Sequence, residues 1–461
     1  MTDHPTREAL DQFIRGELED ELAGPIERHL QEERCFPCLM TVRGMMAEAE
    51  PELAENIHRF IQRTDLPEAE RDESLSAAVR QAERRGAVIT AERAFGPELL
   101  AEIERRSPAA RREVIRTAER YQLFGLAEHL CLESRGAVLR NVANALELAE
   151  LAIEVADALD PRIYIARFTA DQQALARAVF GNARRVASDL FGAETAFQQA
   201  LLLLEHGSQD SLIRAEVGSL LGSLRIDQCR YREAAVVLHE ALDVFCSCES
   251  PRDEGKVLMK LADAEGYAGH PERAVEILDQ ALPLLEEAGE ERLMAWAHHN
   301  LTDWMVEAGQ ALEALARYEK ARPLYQEHGE APSLRLRQRW LEGRIYAALG
   351  DAELATTAFE EVRASARDRE LSYELAMVSL ELALVHLQQG HAGRVQDLAE
   401  EMTPIFRSHE LHRHALAAMY LFRQAARAET ASAGLVQEVL HYLRRARNNP
   451  YLRFEPSARW G

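Results

Sequence analysis

Two thiols two residues apart, Cys35 and Cys38 in "HLQEERCFPC", have the clearest capacity for chemistry in this chain. A Cys-x-x-Cys pair can give a metal ion two sulfur donors from one turn of chain. It can also cycle between dithiol and disulfide, but redox pairs of that kind stand at a strand–helix junction. Here the apolar spacing on both sides is helical. His29, six residues ahead of Cys35, shares a short helix with Ile26 and Leu30. Taken alone, it reads as a packed core residue.

The elements that must position these residues are short. Leu10, Phe13 and Ile14 mark one small amphipathic helix, and Ile26 and Leu30 a second, with Gly16 and Pro25 bracketing the turn between them. "LMTVRGMM" after Cys38 supplies a third apolar face. Three helices of this size bury too little apolar surface to stand alone, so a structural metal would help them fold.

The succession of His4, the "GEL" turn at Gly16 to Leu18, His29-Leu30, then Cys35 and Cys38 resembles the zinc-binding domain of anti-sigma factors over about the first fifty residues. The resemblance implies that His4, His29, Cys35 and Cys38 are zinc ligands and that a sigma factor is a partner of the domain. One departure stands out. Five residues, "LQEER", separate His29 from Cys35, where the family usually has three. Two extra residues turn a helix by roughly 200°. The helix must therefore end early and a loop must return the cysteines, or Glu32 or Glu33 must take the place of His29. Four protein ligands leave no open coordination position, so such a site is structural or regulatory rather than catalytic. Oxidation of the thiolates with loss of metal would make it a redox-sensitive switch.

Behind this region the chain repeats itself. "SDLFGAETAFQQAL", "CRYREAAVVLHEAL", "GHPERAVEILDQAL", "GQALEALARYEKAR", "GDAELATTAFEEVR" and "GHAGRVQDLAEEMT" open on Ser188, Cys229, Gly269, Gly309, Gly350 and Gly390. Five residues on stand Ala193, Ala234, Ala274, Ala314, Ala355 and Val395, at intervals of 40 or 41. Four further come Phe197, Leu238, Leu278, Tyr318, Phe359 and Ala399, and three beyond those Ala200, Ala241, Ala281, Ala321, Val362 and Met402. Seven residues before each opening residue the position is always small: Gly181, Gly222, Ala262, Thr302, Gly343 and Ala383. Small residues let the two helices of a hairpin approach, and the bulky one fills the groove between them.

This pattern resembles the tetratricopeptide repeat over roughly residues 171–430. The resemblance implies stacked helix pairs whose concave face binds peptides or protein segments, with first-helix residues Trp296, His299, Asp303, Arg337, Trp340 and Arg344 facing the groove. Aromatic and Arg side chains are favoured at interface hot spots; the competing reading is that the two Trp side chains fill core between repeats. "ANALELAELAIEVADAL" reads as an irregular leading unit, and "SAGLVQEVLHYLRRARNNP" as a capping helix stopped at Pro450. "DLPEAERDES" at 65–74 is the linker candidate, and Pro97 and Pro108 are expected near helix starts.

Composition narrows the function classes. Fifty-four basic against 77 acidic residues give a net charge of -23, which repels a phosphate backbone and argues against direct nucleic-acid binding. The densest basic stretches, "LRLRQRWLEGR" and "LRRAR", read as helix faces balanced by nearby Glu. No apolar run approaches a membrane span, and "MTDHPTREAL" lacks the features of a signal peptide. The expectation is a cytoplasmic protein whose six cysteines are reduced or metal-bound. The pair Cys246 and Cys248, the run "HELHRH" (His409, His412, His414) and His298-His299 lack metal-site spacing with an acidic partner. Phosphate-binding glycine loops and nucleophile motifs are absent. No enzyme activity is expected.

The sequence thus predicts an all-α chain: a small zinc-binding three-helix N-terminal domain followed by a tetratricopeptide-type α-solenoid of about six to seven helix pairs. The expected divisions are 1–50 zinc domain, 51–95 helical linker, 96–170 helical region with the irregular leading repeat, 171–430 array, and 431–461 capping helix and tail. The expected function is regulatory: binding of protein or peptide partners by the array, and of a sigma factor or other regulator by the zinc domain. The alternatives are a pure scaffold with a structural zinc domain, or a redox-sensitive zinc switch.

Overall fold

The computed structural model describes residues 4–48, 68–138, 140–328, 332–402 and 412–456. Every regular element among them is a helix, and the chain divides into two compact units at Val217/Gly218, inside one helix. None of the described helices is long and apolar enough to cross a membrane.

The first unit holds α1 (Arg7–Ile14), α2 (Asp20–Gln31), α3 (36–48), α4 (Glu68–Glu104), α5 (Pro108–Thr117), α6 (Phe124–Ala137), α7 (Val142–Asp157), the single turn α8 (Pro161–Tyr164), α9 (Ala166–Val186) and α10 (Leu190–Glu205). The 37-residue α4 is its spine. Packed beside it, α6 brings Gly125 so close that a Cβ there would lie 2.4 Å from the Arg93 backbone nitrogen. Three expectations change here. Residues 68–74 of the linker candidate belong to α4, and 65–67 lie outside the described residues. The boundary expected at residue 95 falls within that helix. Pro97 lies in its interior, while Pro108 does occupy the first turn of α5. A proline inside a helix forfeits one backbone hydrogen bond. Here Phe95, Leu99, Leu100 and Ile103 are buried around it, and that packing carries the helix past the break.

From α9 onward the forty-residue pattern takes physical form in seven successive helix pairs. The remaining helices are α11 (Ser211–Asp227), α12 (Tyr231–Ser247), α13 (Pro251–Tyr267), α14 (Pro271–Glu287), α15 (Glu291–Glu307), α16 (Ala311–His328), α17 (Pro332–Leu349), α18 (Ala352–Asp368), α19 (Ser372–Gln388), α20 (Ala392–Glu401), α21 (Arg413–Arg427) and α22 (Ala433–Ala446). All six residues that open the repeats adopt left-handed backbone, with φ from 61° at Cys229 to 98° at Gly269. That conformation ends the first helix of a pair and turns the chain into the second. The alanines and the bulky residues aligned after the turn are all buried. At Gly181, Gly222 and Gly343 a Cβ would meet the side chains of Phe197, Leu238 and Phe359 at 2.9, 2.5 and 2.7 Å. The small residue ahead of each turn therefore receives the bulky one behind it.

Within the second unit the last pair breaks the order. α21 follows α20, but α22 packs chiefly on α19, the first helix of the preceding pair. Its buried face comprises Leu435, Val436, Val439, Leu440, Tyr442, Leu443 and Ala446.

Candidate metal centre

His4 stands two residues before Thr6, whose hydroxyl caps α1 by accepting from the Ala9 N–H. The buried Leu10, Phe13 and Ile14 hold α1 against its neighbours. A left-handed Gly16 with φ 70° then turns the chain, and α2 begins at Asp20. Pro25 lies inside α2 instead of bracketing the turn. It falls in the second turn of the helix, with Ala23 and Ile26 buried on either side of it.

The five-residue interval is resolved in the backbone. α2 stops at Gln31, two residues past His29; the N–H groups of Glu32 and Glu33 donate back to the Arg28 carbonyl, and Arg34 takes a left-handed φ of 51°. The Cys35 N–H then donates to the His29 carbonyl at 3.3 Å, and Leu39 to Cys35 at 3.0 Å as α3 starts. The extra residues are spent on this loop, and both thiols return to the histidine.

The four residues converge. The donor atoms of His4, His29, Cys35 and Cys38 all lie within 4.8 Å of one another. His4 Nδ1 is 3.4 Å from each of the sulfurs. A tetrahedral ion with bond lengths of about 2.0–2.3 Å spaces its donors about 3.3–3.8 Å apart, so the set has the right scale for a metal. The buried His29 donates from Nδ1 to Glu33 Oε2 at 2.6 Å. Its Nε2 is buried and has no hydrogen-bond partner among the described residues. With the proton on Nδ1, the Nε2 lone pair is the ligand atom of a carboxylate–histidine–metal arrangement. Glu33 is thus placed behind the ligand and not in its stead, and Glu32 is outside the group. Burial, followed by the hydrogen bond and charge of Cys35, pushes the Cys38 thiol up to about 11. Deprotonating both sulfurs at this spacing calls for a cation between them. This His/Cys group could hold a metal ion.

The site is fastened to α4. Phe36, between the cysteines, meets Phe95 edge-on with ring centres 5.0 Å apart. Arg84 pairs with Asp20 at 2.7 Å and with Glu27, and Gln31 Nε2 donates to the Ala87 carbonyl at 3.2 Å. Deeper, the buried Arg43 of α3 lies 2.9 Å from the fully buried Glu92, whose oxygens also accept from the Tyr164 hydroxyl at 2.8 Å and the Phe124 N–H at 2.9 Å. The three small helices share a core with α4 instead of standing alone.

The expected groove residues gather on the first helices of successive pairs in the second unit. Trp296 is half-buried, edge-on to His299, with the Arg337 guanidinium 5.4 Å above its ring. Burial, helped by Arg337 and Arg344, depresses the His299 imidazole to about 3. Arg344 pairs with Asp303 and Glu307 and lies 3.5 Å from Glu381. Trp340 Nε1 donates to the other Glu381 oxygen at 2.9 Å. Sequence reasoning missed the acidic residues that complete this face, Asp227, Asp263, Glu307, Glu374 and Glu381. Asp227, Asp263 and Glu307 lie on α11, α13 and α15 at intervals of 36 and 44 residues, and Glu374 and Glu381 share α19; this recurrence of acid on first helices was the signal that could have found them. Cys246 and Cys248 are exposed free thiols, His412 caps α21, and His409 lies outside the described residues.

A tetratricopeptide-repeat family model matches residues 253–327. No curated protein matches the chain. Among solved structures, the chain resembles a STAND signal-transduction ATPase with a tetratricopeptide-repeat sensor from Pyrococcus horikoshii. The two share 12% identity at a TM-score of 0.51, over 97% of this chain and 72% of that one. Aspartyl phosphate phosphatase F from Bacillus subtilis also matches, at 12% identity and a TM-score of 0.49, over 89% of this chain and 97% of that one. A Rap protein in complex with competence and sporulation factor matches at 16% identity and a TM-score of 0.42, covering 67% and 99%. The likeness is one of fold, a tetratricopeptide-type helical solenoid.

Proposed function

We propose that this chain is a non-enzymatic, cytoplasmic regulatory adaptor whose N-terminal centre binds structural zinc and whose helical array binds a protein or peptide partner. The observation that carries the reading is the convergence of His4, His29, Cys35 and Cys38 to within 4.8 Å. Two thiolates and two imidazoles in a tetrahedral set favour zinc over harder ions. Four protein donors fill that coordination and leave no position for substrate. The order of the N-terminal motifs supports an anti-sigma-type role in which the zinc domain contacts a sigma factor or another regulator.

A second reading has its own support. The Arg43–Glu92 pair and the Phe36–Phe95 contact tie the domain into α4, which favours a zinc domain that serves only to fold a scaffold.

Metal analysis of the purified chain is expected to find about one zinc per molecule. Cys35→Ser with Cys38→Ser should abolish it, and unchanged metal content in that variant would overturn the site. Affinity capture with the full chain then separates the readings. Recovery of core transcription components supports regulation, and their repeated absence leaves the scaffold.

A further inference from the structure

The last turn of α22 and the residues after it reach much further than a cap requires. A capping helix needs an apolar face on the preceding pair, which Leu435, Val436, Val439, Leu440 and Leu443 already supply. The polar side of the same segment reaches the first helices of earlier pairs. Arg444 pairs with Glu381 of α19 at 2.7 Å and with Glu307 of α15, 137 residues back in the chain. Arg447 pairs with Glu374 of α19. Asn448 Nδ2 donates to Asp227 of α11 at 3.2 Å, across 221 residues of sequence. Arg445 lines a hollow with Cys229, Tyr231 and Tyr267. Beyond Pro450 the chain folds back, the Tyr442 hydroxyl donating to the Leu452 carbonyl at 2.9 Å.

The carboxylates that receive this segment come from three first helices, α11, α15 and α19. Glu381 is itself buried, and its oxygens are shared among Arg444, Arg344 and Trp340. Buried charges of this kind raise little net stability, because desolvation offsets most of their attraction. The fit is also incomplete. A cavity of about 410 Å³ remains between α22 and the array, lined by Glu307, Arg344, Gln388, Gln437 and Arg444 among others.

We propose that the concave face of the second unit is an acidic groove for arginine-bearing peptide segments, and that the chain's own residues 441–449 occupy it as a resident ligand. An external partner of the same chemistry, a short helical or extended segment with arginines spaced as in "YLRRARNN", has to compete with this strap. Peptide grooves on helical scaffolds work through such anchors, charge-assisted pairs at fixed spacing beside aromatic rings. The proposal deepens the reading of the array as a partner-binding surface and rests on it for the external ligand alone.

The test uses the full chain and a fluorescein-labelled synthetic peptide of residues 441–452. Arg444→Glu with Arg447→Glu sets like charges against Glu307, Glu381 and Glu374 and leaves the apolar face of α22 intact. The double variant should bind the peptide at least ten-fold more tightly than the wild type, by fluorescence anisotropy. Amide exchange in residues 447–456 should quicken in parallel, which reports strap release by a route independent of the peptide. Adding Glu307→Gln and Glu381→Gln should remove the gained binding, and raising salt should weaken it. Equal peptide binding by wild type and a folded double variant, including none by either, overturns the proposal. So does binding that survives the glutamine substitutions. Failure to capture any cellular partner bears on the proposed function instead, and does not touch the occupancy that this experiment reads.

Discussion

At the residue scale, Glu33 and Asp263 show how one side chain sets the properties of its neighbours. Glu33 fixes the proton of His29 on Nδ1 and so aims Nε2 into the donor set. Glu33→Ala is expected to weaken zinc binding about 10–100-fold, as loss of such supporting carboxylates does. Competition against a chromophoric chelator measures it. Asp263 accepts from Trp304 Nε1 at 3.2 Å, and burial followed by the Asp227 charge pushes its carboxyl up to about 6. A carboxyl raised in the folded state destabilises once ionised. Its contribution is fully favourable below the unfolded value near 4 and is lost as pH rises through about 6. Asp263→Asn keeps an acceptor for Trp304 and should be more stable than the wild type at pH 7.5 by on the order of 2 kcal/mol. Urea melts across pH should show that difference shrinking below pH 6 and vanishing near pH 4.

At the element scale, the repeat works by matching a small residue on one helix to a bulky one on its partner. In α11, a Cβ at Gly222 would lie 2.5 Å from Leu238, whereas one at Gly218 would sit at an ordinary 3.5 Å from the Val237 carbonyl. Replacing helical Gly by Ala normally gains about 0.5–1 kcal/mol. Gly218→Ala should follow that rule, and Gly222→Ala should reverse it with a loss of about 1–3 kcal/mol from overpacking. Chemical denaturation of the two variants side by side gives the sign directly. The turns between pairs are a quieter feature. Gln209, Glu249, Gly289 and Glu370 all adopt left-handed backbone, at intervals of 40, 40 and 81 residues, or one or two repeats. Only Gly289 signals this in its residue type, and side chains such as Glu take the conformation only when the packed helices on both sides demand it.

For the whole molecule, each unit is held by charge placed where sequence distance gives no hint of it. In the first unit, Arg43 and Glu92 join the metal-binding helices to α4. Arg43→Ala should destabilise that unit by about 3 kcal/mol, because a buried carboxylate loses its partner. Arg43→Met with Glu92→Leu should recover part of the loss, but not all, since Tyr164 and the Phe124 N–H would still lack their acceptor. Thermal melts of the three proteins test the ordering. In the second unit, the two basic stretches that read as helix faces balanced by nearby Glu are indeed balanced, but largely by acids far away in sequence. Arg444 finds Glu307 across the intervening helix pairs, and Arg344 finds Glu381 on the first helix of the next pair.

What the sequence determined by itself follows from short-range rules. Alternation of small and bulky residues at helical spacing set the hairpins, and the left-handed turns fell at the residues that open each repeat. Cys-x-x-Cys preceded by His29 marked three of the donors, residues within a few turns of each other, whereas His4, 31 residues before Cys35, entered only through the family resemblance of the motif order. Tertiary structure decided the rest. It ended α2 early and turned the chain at Arg34, so that "LQEER" returns both thiols to His29. It set Glu33 behind the ligand, ran α4 unbroken through Pro97, and laid α22 against α19. Each of these outcomes depends on which surfaces meet after the helices pack, and the free energy of that meeting is not written in any single stretch of chain.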